Sequence, residues 1–146
     1  MNILVALLFS LPALYAEESP YLFAGKHFFA SYLDCSEEAL SDLEHLQEAM
    51  DHAVEASHAT VLNKSSYTFE GSGFTALYLL SESHASIHTY PERGACFVDL
   101  FTCGNRCSAE DFHKELCAYL QPKEVVSRLF LRSEGVEELA DFPLKP

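Results

Sequence analysis

At 146 residues the chain is long enough for one domain with a real core, since a chain of roughly this size buries about two-thirds of its unfolded surface. Nine basic against 22 acidic residues give a formal charge of -13, which repels phosphate backbones and anionic membranes and argues against a nucleic-acid partner. The five cysteines are odd in number, with no CxxC pair and no His/Cys spacing of a zinc site, so neither a disulfide framework nor a metal is expected.

Residues 1–24 read as an N-terminal extension. Its first 16 residues are uncharged, and the apolar run 3–9 resembles that of a secretory signal peptide. No Lys or Arg precedes the run, Leu14-Tyr15-Ala16 fits a cleavage site poorly, and the segment is too short for a membrane span. Export and a cytoplasmic location both stay open.

Residues 26–33 have the aromatic density of a strand. Asp34 with Glu37 then reads as the start of a helix, and Leu40, Leu43, Leu46, Met50 and Val54 continue it as one apolar stripe to about Ala56. Residues 60–63 and 67–70 read as two short strands, and Gly71-Ser72-Gly73 as the turn into an apolar strand over 74–80. Pro91-Glu92-Arg93-Gly94 turns the chain into a central strand over 95–101. Ser108 and Asp111 open a second amphipathic helix that Pro122 stops, and residues 125–131 give a last strand. The tail, 132–146, reads as a short helix and a frayed end. This order predicts an α+β fold, an antiparallel sheet with helices packed on one face.

Between the two apolar strands lies Ser81-Glu82-Ser83-His84-Ala85-Ser86-Ile87-His88-Thr89-Tyr90-Pro91-Glu92. The β-branched and aromatic residues Ile87, Thr89 and Tyr90 favour a strand, on which His84 and His88 would sit roughly 13 Å apart, too far to share a metal. Ser81, Ser83, Ser86, His84, His88 and Asp99 are candidate members of a hydrolase triad, but the chain has no G-x-S-x-G elbow. Hydroxyls and imidazoles satisfying one another at a strand end account for the stretch equally well.

Gly25-Lys26-His27, Ala59-Thr60-Val61-Leu62, Ser81-Glu82-Ser83-His84, Ser86-Ile87-His88-Thr89 and Asp99-Leu100-Phe101-Thr102-Cys103-Gly104 together resemble the S-adenosylmethionine decarboxylase proenzymes in their short bacterial and archaeal form. The resemblance implies a sandwich fold and a self-processing decarboxylase domain over 25–131, cut between Glu82 and Ser83, with 132–146 as a tail. The Ser83 hydroxyl attacks the Glu82 carbonyl, and His88 matches the base that then removes the Ser83 α-proton, leaving a pyruvoyl group in place of Ser83. That ketone forms a Schiff base with the substrate amine and takes up the electrons released with carbon dioxide, without pyridoxal phosphate or metal. Cys103 matches the proton donor to carbon, Phe69 an aromatic that stacks on adenine, and Glu92 a carboxylate that binds the nucleoside.

The same resemblance implies spermidine and polyamine biosynthesis, a cytoplasmic location and a homo-oligomer of processed chain pairs. The chain departs from the family pattern at Ala85, Tyr90, Thr75-Ala76 and Ser31, where leucine, tryptophan, Ser-Gly and glutamate are usual. These departures keep arginine or ornithine as alternative substrates. A homologue that does not cleave and only binds or regulates a partner is the alternative of another class.

Overall fold

The computed structural model describes residues 23–71 and 73–139. In chain order the elements are β1 (Gly25–Leu33), α1 (Glu37–Ser41), α2 (Leu43–Ala56), β2 (Val61–Thr68), β3 (Phe74–Leu80), β4 (Ser83–Tyr90), a 3-10 turn (Pro91–Arg93), β5 (Ala95–Cys103), α3 (Ala109–Leu120), β6 (Glu124–Arg132) and β7 (Val136–Glu138). The strands form one antiparallel sheet ordered β2-β3-β4-β5-β1-β6-β7. The fold is α+β, as expected.

Strand alternation sorts the side chains to two faces. Phe28, Ala30 and Tyr32 of β1, Ala76 and Tyr78 of β3, Ala85 and Ile87 of β4, and Cys96, Val98 and Leu100 of β5 are buried on one of them. They join Leu46, Met50 and Val54 of α2 and Phe112, Leu116 and Leu120 of α3 in a single core. At about 25 cal/mol per Å² of apolar surface removed from water, this layer supplies the main drive to fold.

Among the described residues no helix covers the opposite face. Its register sets three rows across five strands: Leu79-His84-Phe101-His27-Phe130, Leu77-Ser86-Asp99-Phe29-Arg128 and Thr75-His88-Phe97-Ser31-Val126. Leu77 and Leu79 are each 55% exposed there and Phe97 49%.

Three local expectations need correction. The single helix after Asp34 is two, because Asp34 lies in the left-handed region (φ 51°) and Ser36 is the cap of α1, accepting from the Ala39 N–H at 3.3 Å. Asp42 leaves helical geometry (ψ 87°) and its carboxylate accepts the His45 N–H at 3.2 Å, so a capping side chain interrupts the apolar stripe and starts α2. The two short strands over 60–63 and 67–70 are one, β2, because the ladder with β3 carries the polar residues between them, with a register shift between Val61 and Asn63. The short helix expected after residue 131 is instead β7, which pairs with β6 and sets Glu138 Oε1 3.0 Å from Arg128 Nε. The signal-like segment and the last seven residues lie outside the described residues. No helix among the described residues is long and apolar enough to cross a membrane.

Candidate active site

The β3–β4 hairpin turns at Ser81 and Glu82, and three hydrogen bonds hold that turn. The Ser81 N–H donates to the Thr60 carbonyl at 2.9 Å, the Thr60 N–H donates to Glu82 Oε2 at 2.9 Å, and the Cys103 N–H donates to the Glu82 carbonyl oxygen at 2.9 Å. The last extends the β4–β5 ladder one rung beyond the Ser83–Thr102 pair, so ordinary strand pairing brings Glu82, Ser83 and Cys103 together. Ser83 Oγ lies 3.1 Å from His84 Nδ1.

Cys103 is exposed at the end of β5, where Gly104 (φ 85°) turns the chain away. The other four cysteines differ in kind. Burial pushes the Cys117 thiol up to about 11 and raises that of Cys107, so both are held protonated, and Cys35 and Cys96 are buried. Gly25, opposite Cys103 on β1, is required by space: a Cβ there would stand 2.7 Å from the Phe101 ring.

Phe69, His88 and Glu92 gather elsewhere. They line a cleft of about 390 Å³ with Glu70, Gly71, Gly73, Thr89 and Tyr90, between the end of β2, the far end of β4 and the 3-10 turn. His88 is packed edge-on against Phe69 and Tyr90, with ring centroids 5.7 and 4.7 Å away. Thr75 Oγ1 is hydrogen-bonded to His88 Nδ1. The aromatic collar and the hydroxyl fix the imidazole plane.

The expected site residues therefore fall into two groups. Ser83 opens β4 and His88 is five residues along it, roughly 16 Å away at 3.3 Å per residue. Within one chain the pairing of strands joins Ser83 to Cys103 and leaves His88, Phe69 and Glu92 at the other end of the sheet.

Between the groups, on the open face, His27 Nε2 is 3.5 Å from Asp99 Oδ1 and Arg132 Nη1 is 3.5 Å from His27 Nδ1. Burial lowers the His27 pKa, outweighing the Asp99 carboxylate, so the ring is held neutral. Of the family departures, Ala85 and Ala76 are buried against the helices, so they shape the core, whereas Tyr90 lines the cleft and Thr75 and Ser31 share the row of His88. The sequence reading missed Thr75 as the partner of His88 and Thr60 as the anchor of Glu82. The first pairing was findable only by counting back through a hairpin of known register, and the second runs through a backbone N–H that no side-chain pattern reports. Among the described residues, no three His, Cys, Asp or Glu side chains are grouped to hold a metal ion.

Known proteins resemble this chain over most of its length. The model of the family described as S-adenosylmethionine decarboxylase matches residues 26–133. The S-adenosylmethionine decarboxylase proenzyme of Synechococcus sp. (strain WH7803) is 40% identical over 121 residues, covering 82% of this chain and 94% of that one. The proenzyme of Brevibacillus brevis is 36% identical over 121 residues, with 83% and 91% covered. That of Methanococcus maripaludis (strain DSM 14266) is 37% identical over 100 residues, with 68% and 82% covered. The crystal structure of the adenosylmethionine decarboxylase from Aquifex aeolicus VF5 superposes with a TM-score of 0.69 at 28% identity, covering 82% of this chain and 98% of that one. With a family match over residues 26–133 and relatives similar over most of their length, the chain belongs to the S-adenosylmethionine decarboxylase family.

Proposed function

We propose that the chain is the proenzyme of a pyruvoyl-dependent carboxy-lyase that cuts itself between Glu82 and Ser83 and then decarboxylates S-adenosylmethionine, yielding the aminopropyl donor for spermidine. The observation that carries this reading is the meeting of Ser83, the Glu82 carbonyl and the exposed Cys103 at one strand junction, in a chain of this family. The proposed working domain is 25–131, in the cytoplasm.

The surroundings of residue 83 fit the group it would become, since it stands half-buried at the start of β4 beside an exposed thiol. Once formed, a pyruvoyl ketone supplies an electron sink for the loss of carbon dioxide. The Cys103 thiol delivers a proton to substrate carbon. Phe69, 45% exposed at the cleft mouth, offers a ring face to adenine, and Glu92 beside it a carboxylate to the nucleoside. The net charge of -13 favours a cationic substrate.

A second copy of the chain would bridge the roughly 16 Å between Ser83 and His88. The sheet face left open by the described residues, with Leu77, Leu79 and Phe97 exposed, is the surface on which two copies would pack sheet to sheet. In a two-fold dimer, His88, Phe69 and Glu92 of one copy then meet Ser83 and Cys103 of the other.

The test is direct. The purified protein is expected as two fragments under denaturing conditions, the longer one ending at Glu82, the shorter carrying a ketone detectable by mass. Carbon dioxide release is then compared on S-adenosylmethionine, arginine and ornithine. A single intact chain without a ketone overturns the proposal, and activity confined to arginine or ornithine overturns the substrate.

A further inference from the structure

The first half of self-cleavage, the transfer of the Glu82 acyl group from nitrogen to oxygen, needs three things at once. The Ser83 hydroxyl must lose a proton, the Glu82 carbonyl oxygen must be stabilised as it gains charge, and the peptide must be held still meanwhile. His88 is badly placed for the first of these, being five residues down the strand and already bonded to Thr75. His84 is not: its Nδ1 is 3.1 Å from Ser83 Oγ, and the imidazole is exposed.

The second requirement has a donor in place. The Cys103 N–H lies 2.9 Å from the Glu82 carbonyl oxygen, within the range for an oxyanion donor, and as a rigid ladder amide it needs no reorganisation. The third is met from outside the ladder. Thr60 grips residues 81 and 82 at both ends, accepting from the Ser81 N–H and donating to the Glu82 carboxylate, each at 2.9 Å. A β-hairpin needs no such side-chain clamp to close.

We propose that His84 is a catalytic base, and the Cys103 backbone N–H an oxyanion donor, for ester formation within a single chain. The proposal rests on the self-cleavage reading above. With the ring proton on Nε2, Nδ1 takes the proton of Ser83 Oγ as Oγ bonds to the Glu82 carbonyl carbon, and the C=O π pair moves onto the oxygen held by the Cys103 N–H. As that pair returns, the Glu82–Ser83 C–N bond breaks, and His84 gives the same proton to the departing Ser83 amine. Acyl group, proton and electron pairs are all accounted for, and no other reactant is consumed. His88 then acts only on the ester, from the partner copy, so the chain divides the two halves of cleavage between two histidines. Cys103 serves twice, by its N–H in cleavage and by its thiol in turnover.

The experiment follows freshly translated chain on denaturing gels, with and without hydroxylamine, which cuts an ester and spares a peptide. Wild type is expected to cut itself. Chain carrying His88→Ala is expected to stay intact and then split with hydroxylamine, since the ester forms and waits. Chain carrying His84→Gln is expected to form neither ester nor fragments at more than about one-hundredth of the wild-type rate, and His84→Ala is expected to regain cleavage when imidazole is added. Replacing the Cys103 N–H by an ester oxygen, read by mass without hydroxylamine, is expected to slow cleavage about a hundredfold. The same replacement at Gly104, whose N–H makes only a 3.4 Å bond to Ala24, is expected to leave it unchanged.

If His84→Gln gains the ester at the wild-type rate, or the Cys103 replacement cleaves normally, the proposal fails while self-cleavage stands. If wild type neither cuts nor turns hydroxylamine-sensitive, both fall together. The backbone replacement keeps every side chain, so it decides the oxyanion donor even if the His84 variants misfold, and the recovery of His84→Ala cleavage with added imidazole decides the base, since a misfolded chain would not recover.

Discussion

Thr75 and His88 face each other across the β3–β4 ladder and are hydrogen-bonded through Oγ1 and Nδ1, inside a collar formed by Phe69 and Tyr90. The bond leaves Nε2 as the free nitrogen of the ring, aimed by its neighbours. Thr75→Val keeps the shape and the β-branch and removes the hydroxyl. A neutral hydrogen bond is worth roughly 1 kcal/mol, so the step performed by His88 is expected to slow about fivefold to tenfold. The hydroxylamine-sensitive ester should persist correspondingly longer on the gel. An unchanged ester lifetime would mean that the aromatic collar alone positions the ring.

The separation of Ser83 from His88 gives a complementation test. Ser83→Ala chain lacks the residue to be cut, and His88→Ala chain lacks the base that acts on the ester, so each alone is expected to remain full length. When the two are co-expressed, a mixed two-fold dimer pairs the intact Ser83 of one copy with the intact His88 of the other. With random pairing, about half of the His88→Ala chain is expected to be cleaved. No cleavage in the mixture, with mixed dimers demonstrated by tagged pull-down, would refute the shared site.

Phe69 tests the binding half of the site. Its ring is 45% exposed and held edge-on by Tyr67, 4.8 Å between centroids, so it is presented as a platform without being part of the core. Stacking of a base on an aromatic is worth roughly 1–3 kcal/mol, so Phe69→Ala is expected to raise KM for S-adenosylmethionine by about one order of magnitude or more. Self-cleavage should proceed at close to its normal rate. Equal KM values for the two proteins would remove adenine from that cleft.

A pH dependence of stability follows from the core. His113 is 1% exposed, and its Nδ1 accepts the Tyr32 hydroxyl at 2.7 Å, while Cys117 Sγ stands 3.4 Å from Nε2. Burial lowers the His113 pKa to about 4 and raises that of Tyr32, so the phenol stays a donor and the imidazole an acceptor. The unfolded chain binds a proton at His113 near pH 6.5, and the folded chain does not until about 4. Between those values the unfolded state carries the extra proton, so stability falls as pH falls through this window and levels off below it. The urea midpoint of the uncleaved Ser83→Ala protein is expected to drop from pH 6.5 to 4. Adding His113→Asn should lower the midpoint at neutral pH and flatten that slope, and an unchanged slope would assign the acid sensitivity to other groups.

Much of the fold is legible in the sequence. The strands over 26–33, 74–80 and 95–101 declared themselves because their buried faces are continuous and apolar, and α3 because its cap and stop flank a clear stripe. Errors came where a local polar group competes with an apolar pattern. Asp42 breaks a stripe that hydrophobicity alone would run straight through, and Asn63 to Ser66 stay in a strand because β3 supplies ladder partners that composition does not reveal.

The sequence by itself determined the family and the candidate groups: a Glu-Ser-His stretch between two core strands and a downstream cysteine and histidine follow from residue order, because a motif depends on which groups are adjacent along the chain. Only the tertiary structure decided which groups meet. Antiparallel pairing of β4 with β5 brings Cys103 to Glu82, twenty-one residues apart in sequence, while the rise of an extended strand carries His88 away from Ser83, five residues apart. Distance along a strand grows with every residue and distance across a ladder does not, and for that reason Cys103 lies beside Glu82 while His88, much nearer in sequence, does not.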